Sequence, residues 1–556
     1  MAQTIKKIFC VGLKKKHQST QRTQDKIPQN KTKPKWKRLF SLGRKIKKDS
    51  KNQKIEQDNH NVQEIDKKKK VVILPTDCLL EIFKYFRDDL KTLHSCLLVD
   101  KNWCISTVRL IWKQPFLNKK SPIIIDVYLS CLTLHERKNL IKNGVNLSNI
   151  TKPASFHYAN FLRHIDMKNF YAAVDARTAR MKESKIIENR TTNLICRALC
   201  RLFMTKCENL QTLRLNWNYV GEWKGYPILP YHRNASTFLY ELSELTIHKI
   251  NTRDIFLDME KHSKNLIKLE IMDYCFDNLP EHRHESIYTL IKNQNNLQHC
   301  KLFAYGTCPV IPMKALDFQT KSLTHFELIY AKFISDESYN AFISLSNCRN
   351  LKTLIIEYCY FENQDFLQPL INTHFPHLHK IRFGSLQCNA SEIFVELIKK
   401  NSSSLRDLHY SDDVSRQFNH LILETIVTYS TTSLISLSIP FRNYQTPQLI
   451  TLLSFSNQLQ SLKLIGPYGH ERAFVEFLPI LAKLLPNSLR HFSLDLNWVI
   501  INTLQQFLSN LNARLNTLYI SGWSRRIRDE DVIMIKDYLQ QNNPEIDLHD
   551  FLKDIT

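Results

Sequence analysis

The chain has 556 residues, 43% of them hydrophobic, so it is too long for one small domain and too apolar to be disordered throughout. Its net charge is +24, yet residues 1–70 hold 22 of the 77 Lys and Arg and six of the 53 Asp and Glu, so this segment alone contributes +16. Fourteen cysteines without a C-x-x-C pair, no apolar leader after Met1 and no apolar run near the ~20 residues that span a bilayer predict free thiols in a reducing compartment and no transmembrane segment.

Residues 1–70 contain too few apolar side chains to offset the entropy of ordering, and are expected to form a disordered basic tail. A plain solvated tail is the simplest role. Two basic clusters, Lys35 with Lys37-Arg38 and Arg44-Lys45 with Lys47-Lys48, also fit nuclear import. Ile8-Phe9 would make a weak membrane anchor, and Ala2 stands where myristoylation needs glycine. Trp36 and Phe40 hardly make a stacking platform, so nucleic acid is not an expected partner.

The stretch 71–116 changes character. Leu74-Pro75 opens it, with the proline pre-setting φ for a first helical turn. Leu79, Ile82, Phe83 and Phe86 then share one helical face. Asp88-Asp89 interrupts, a second apolar set follows at Leu90, Leu93, Leu97 and Leu98, and Trp103, Val108, Leu110 and Trp112 predict a third short helix ending near Pro115. Three such helices enclose little core, so the stretch must lean on something else. It is either a helical cap for the residues behind it or a docking module.

Leu74-Pro75, Ile82-Phe83, Tyr85-Phe86, Leu90, Leu98-Val99, Lys101, Trp103 and Leu110-x-Trp112 resemble an F-box in order and spacing. The chain departs from that family at Val99-Asp100-Lys101-Asn102-Trp103, where Val-Cys-Lys-x-Trp is usual. The resemblance implies docking on the Skp-type adaptor of an SCF ubiquitin ligase, and through it on a cullin scaffold. The residues it implicates are Leu74, Pro75, Leu79, Ile82, Phe83, Phe86, Leu90, Leu98, Val99, Trp103 and Trp112.

Residues 117–155 read as a helical spacer: Ile123 to Leu132 is apolar, His135 to Lys142 charged, and Asn143-Gly144 marks a helix end. Beyond it, L-x-x-L-x-L recurs twelve times, from Leu210-Leu213-Leu215 to Leu515-Leu518-Ile520, with a mean period near 28 residues. A thirteenth copy, Leu162-Ile165-Met167, is set off by a gap holding a helix over Thr192 to Cys207, with Ile195, Leu199 and Phe203 on one face. Between copies the period switches, so Ser391 to Ile398 and Pro447 to Leu453 read as helices. Residues 156–556 are therefore expected to form an α/β leucine-rich-repeat solenoid, curved, with parallel strands inside and helices outside. The copy running from Cys348 to Cys359 is similar to the cysteine-containing repeats of F-box proteins. Only Asn218, Cys359 and Asn497 fill the usual Asn/Cys position after the last leucine. Asp529 to Leu539 is expected to close the array and Asp547 to Phe551 to cap it.

No nucleotide-binding, zinc-protease or nucleophile-elbow motif is present, and ten glycines leave little room for phosphate-cradling loops. His282 and His284 read as surface groups in a loop, and Cys196 and Cys200 as a buried stripe rather than half a metal site. No enzyme activity, cofactor or metal is expected. On the inner face of the sheet, Arg214, Trp217, Lys301, Tyr330, Tyr358 and Arg382 are the candidate contacts to a protein substrate, because aromatic and arginine side chains anchor interfaces. The reading as a whole is a substrate-recognition subunit of a ubiquitin ligase, cytoplasmic, nuclear or both. The alternative is a repeat scaffold or inhibitor whose helices only cap the solenoid.

Overall fold

The computed structural model describes residues 74–86, 89–116, 121–150, 152–181, 185–216, 235–248, 255–272, 281–384, 386, 390–411, 421–465, 474–495, 506–521 and a few positions over 533–541. The expectations for the basic tail, Trp217, Asn218, Asn497 and the terminal cap lie outside these residues, as does most of the closing helix. The chain forms two compact units, Met1–Leu110 and Ile111–Thr556.

Among its described residues the first unit has three short helices, α1 (Thr76–Lys84), α2 (Leu90–Cys96) and α3 (Lys101–Ile111). Pro75 sits at the N-cap of α1, one position before the first turn. Each of the other two starts is fixed by an aspartate accepting from orphan backbone N–H groups. Asp89 Oδ1 accepts from Thr92 N at 3.1 Å, and Asp100 Oδ1 accepts from Asn102 N at 2.7 Å and Trp103 N at 2.9 Å. Leu79, Phe83, Phe86, Leu93, Cys96 and Val108 are buried, and the Phe83 and Trp103 rings meet edge-on at 5.1 Å.

The second unit opens with α4 (Pro122–Ser130) and α5 (Leu134–Lys142), the latter started by a capping box between Thr133 and Glu136. Gly144 at φ +89 turns the chain out of α5, a conformation that costs glycine little. Next come α6 (Met167–Thr178) and α7 (Lys185–Lys206), which buries Ile195, Leu199 and Phe203 as well as Cys196 and Cys200. Trp112 and Phe116, grouped with the first helices by sequence, pack here against Tyr128, Tyr158, Phe170 and Phe203. Buried Arg177 ties α6 to α4 through Asp126 (2.9 Å) and to the Asn146 carbonyl (2.8 Å).

The rest of the described residues form one parallel sheet of fourteen strands with helices between them. They are β1 (His164–Asp166), β2 (Thr212–Asn216), β3 (Glu244–His248), β4 (Lys268–Met272), β5 (His299–Thr307), β6 (His325–Phe333), β7 (Thr353–Glu357), β8 (Tyr360–Phe361), β9 (Lys380–Gly384), β10 (Asp407–Ser411), β11 (Ser436–Pro440), β12 (Ser461–Ile465), β13 (His491–Asp495) and β14 (Thr517–Ser521). Thirteen lie side by side in chain order, one for each repeat unit, while β8 pairs with the end of β6. The register places the second apolar position of every unit against its counterpart: Ile165 on Leu213, Leu213 on Leu245, and onward to Phe492 on Leu518. The first leucine of each unit, from Leu210 to Leu515, is fully buried. Helices such as Ala390–Asn401 and Thr446–Phe455 return the chain between strands, as the period change predicts.

A polar side chain just ahead of several first leucines stitches one unit to the next. Gln294 accepts from Leu266 N and donates to the Ser263 and Leu290 carbonyls. Gln319 does the same for Leu297 N, Ile291 O and Gln294 O, and Asn401 for Phe375 N and Leu397 O. Cys348 and Cys207 donate to Leu316 O and Leu162 O from matching places. These groups are buried, so each bond satisfies a backbone atom that would otherwise lose its partner.

Leu354→Ala deletes a fully buried side chain at the centre of the sheet. It should cost about 2–5 kcal/mol. In a stack of nearest-neighbour units, hydrogen exchange should accelerate in the strands around β7 and leave α1–α3 unchanged. Equal acceleration in both units would contradict the division.

Candidate functional site

Alternate strand residues point to opposite faces. One face carries the buried apolar side chains; the other carries half-exposed ones, as in the burial of β4, where Leu269 and Ile271 are buried and Lys268, Glu270 and Met272 are not. Charges on this open face are paired between neighbours. Lys268 meets Glu270 at 2.8 Å, Lys301 meets Glu327 at 2.7 Å, Lys380 meets Asp407 at 2.6 Å and Arg382 meets Glu357 at 2.5 Å. Hydroxyls and imidazoles continue the pattern: His164 pairs with Thr212 at 2.8 Å, Thr246 donates to Glu270 at 3.0 Å, and the His299 and His325 rings stack at 4.0 Å. Partly exposed pairs contribute at most about 1 kcal/mol each, so they tie neighbouring side chains together more than they stabilise the sheet.

The regular pattern breaks at β5–β7. β5 and β6 each run to nine residues where most strands have five. After Phe303 opposite Ile329 the next pair is Thr307 with Ala331, so Ala304, Tyr305 and Gly306 bulge opposite the single residue Tyr330. Tyr305, Tyr330 and Tyr358 have φ of +38°, +56° and +56°, the only positive values outside glycine among the described residues. An L-residue in this left-handed region costs about 1–2 kcal/mol. Tyr330 and Tyr358 occupy equivalent places after the paired residues Ile329 and Glu357. Their rings stack at 4.6 Å and 8°, with Phe303 and Tyr305 at 5.1 and 6.0 Å from Tyr330. The three tyrosines remain 56%, 37% and 42% exposed. Tyr358 N donates to the Gly384 carbonyl at 2.8 Å; a Cβ on Gly384 would collide with the Ser411 hydroxyl, which fills that space.

Beside the rings, the nearly buried Glu357 holds the Arg382 guanidinium and lies 4.0 Å from His409. Burial, then the positive charges of Arg382 and Lys463, push the His409 pKa down to about 4. The imidazole is therefore neutral at pH 7, and its approach to Glu357 is a dipolar contact. Burial also raises the thiols of Cys300 and Cys348 to about 12, which keeps them protonated and unreactive.

Of the residues read as substrate contacts, the structure brings together Lys301, Tyr330, Tyr358 and Arg382, on β5, β6, the end of β7 and β9. Arg214 lies apart on β2, beside a shallow hollow lined by His164, Asp166 and Glu244. Sequence reasoning missed Phe303, Tyr305, Glu357 and His409; Gly306 inside a strand pattern was the available sign of a bulge. The residues expected to face an adaptor divide in two. Leu79, Phe83 and Phe86 are buried and Ile82 and Trp103 half-buried, whereas Leu74, Pro75, Leu90, Leu98 and Val99 are exposed. Trp112 belongs to the second unit. His284, expected in a loop, lies in the helix Glu281–Lys292, because Ile287, Leu290 and Ile291 form a buried face that carries the helix through it.

Among the described residues no three His, Cys, Asp or Glu converge to hold a metal ion, and no helix is long and apolar enough to cross a membrane. No known family model matches the chain. No curated protein matches it significantly.

Two measurements check this geometry. Tyr358→Ala keeps the left-handed backbone cost and loses the ring stacking, whereas Tyr358→Gly loses both. The glycine variant should be more stable than the alanine variant by about 1 kcal/mol in denaturant titration; the reverse order would show that the backbone is not held left-handed. His409 binds its proton more weakly when folded than when unfolded. Its contribution is therefore fully present above about pH 6.5 and is lost as pH falls through about 4, by an amount on the order of 3 kcal/mol. His299 and His325, lowered by burial, act with the same sign. Stability measured from pH 7 to 4 should fall less steeply in His409→Gln than in the native protein; identical slopes would rule the assignment out.

Proposed function

We propose that the chain is the substrate-recognition subunit of an SCF-type ubiquitin ligase, with α1–α3 as an F-box and the strand–helix units as a curved leucine-rich-repeat solenoid. The supporting observation is the surface of the first unit. Its three helices bury a small core, yet Leu74, Tyr85, Leu90, Leu98 and Val99 are 38%, 63%, 44%, 66% and 58% exposed. So many exposed apolar side chains on so small a unit fit a site covered by a second protein, here the Skp-type adaptor, with the cullin scaffold beyond it. Asp100, the one departure from the F-box pattern, is accommodated because its carboxylate caps α3.

The open face of the sheet would then hold the protein substrate, and the transfer chemistry would belong to the partners, this chain supplying proximity and orientation. The cytoplasm, the nucleus or both are the compartments expected for such a subunit.

Replacing Leu74 and Pro75 by alanine should weaken adaptor binding more than tenfold, the loss expected when an interface anchor worth ~2 kcal/mol or more is truncated. The melting temperature should hold, because both residues are exposed. Titration of purified adaptor against both proteins, with a melt alongside, decides the matter. A native chain indifferent to adaptor, or a double variant that melts early with no binding to lose, would favour a capping role in a repeat scaffold or inhibitor.

A further inference from the structure

The block around β5–β7 departs from the rest of the sheet in three independent ways: a bulge that lengthens β5, left-handed tyrosines in three successive units, and a row of partly exposed aromatic rings. Strained conformations of this kind persist where the surroundings over-determine them, and they cluster at binding sites. Tyr330 and Tyr358 stack face to face and remain partly exposed, next in the chain to half-buried Ile329 and buried Glu357. This gives rigid, amphipathic contact area at low entropic cost.

The electrostatics select the occupant. Two cations near the rings are already engaged, Lys301 by Glu327 and Arg382 by Glu357. His409, behind Arg382, adds no positive charge at neutral pH. A phosphate group arriving here would meet the carboxylates of Glu327 and Glu357 beside their paired cations, and exposed Lys332 lies over the Tyr360 ring; among the described residues no arginine cluster of the kind that reads phosphorylated motifs is present.

We propose that Tyr305, Tyr330 and Tyr358 are the anchor points for an extended peptide segment of low net charge with apolar or aromatic side chains, recognised without phosphorylation. Calling that segment part of a ubiquitination substrate rests on the function proposed above; the docking surface itself does not. Ring edges and hydroxyls contact the peptide, and the ion pairs on either side disfavour charged sequences.

The test pans a phage-displayed library of random short peptides against the full-length chain, then titrates the enriched peptides, with and without phosphoserine, over a range of salt. Expected are aromatic- or aliphatic-rich peptides near neutrality, binding that changes little with salt, and no gain from phosphate. Tyr330→Ala/Tyr358→Ala should weaken them at least tenfold, while Tyr330→Phe/Tyr358→Phe, which keeps the rings, should stay within a few-fold. If the alanine pair unfolds, Tyr358→Gly, which relieves the backbone, carries the same expected loss. No enrichment, selection of acidic or phosphorylated peptides, or full binding by the folded alanine or glycine variant would overturn the proposal. Adaptor titration of the same samples separates the two readings: peptides bound through the tyrosines by a chain that ignores the adaptor would remove the ligase role and support this surface.

Discussion

Everything in the second unit depends on the lateral register of its parallel strands. Because side chains alternate with a period of two, a one-residue slip between neighbours would turn an apolar row to solvent. The observed ladder holds the second apolar position of all thirteen consecutive strands in a continuous row, from Ile165 to Leu518. That row and the leucines before it carry the hydrophobic stabilisation, at ~1.5–3 kcal/mol for each fully buried side chain. The start of the sheet is also managed, since the backbone N–H groups of Arg163 and His164 donate to the Lys113 carbonyl beside β1.

Register needs more than apolar contact, because greasy rows can slide. The buried amides of Gln294, Gln319 and Asn401 supply a check: each reaches backbone groups in its own unit and in a neighbouring one, and would lose partners on a shift. An unsatisfied buried amide costs ~1–3 kcal/mol, so such plugs specify alignment out of proportion to their number. The thiols of Cys348 and Cys207 make weaker versions of the same bond.

The repeating part of this architecture was legible in the sequence because it is periodic. Each L-x-x-L-x-L copy became one strand, including the isolated one at Ile165, and the helix over Ile195, Leu199 and Phe203 sits where its spacing predicts. What could not be read is aperiodic or long-range. The partners of Gln294 lie nearly a repeat away, the fold of Trp112 and Phe116 into the second unit depends on Tyr128 and Phe203, and three left-handed tyrosines obey no propensity rule. For the candidate site, strand alternation found Lys301, Tyr330, Tyr358 and Arg382 but could not tell that Arg214 would be left three strands away. The missing members followed from the bulge and from Glu357, whose importance lies in the cation it holds.

Repetition and recognition make opposite demands on such a molecule. A stack of like units is stable because each repeats the geometry of its neighbour, but identical units offer a partner no unique address. Among the described residues the break lies at the ends of β5, β6 and β7, while the apolar row beneath runs on unaltered through Cys300, Phe326 and Leu354. The left-handed cost is thus borne by residues whose flanks are pinned: Tyr330 lies between the paired Ile329 and Lys332, and Tyr358 between Glu357 and the Tyr360 rung. Pinning on both sides leaves a tyrosine no cheap route back to a relaxed conformation. The sheet can hold three strained aromatic side chains at its surface because its buried face is so regular.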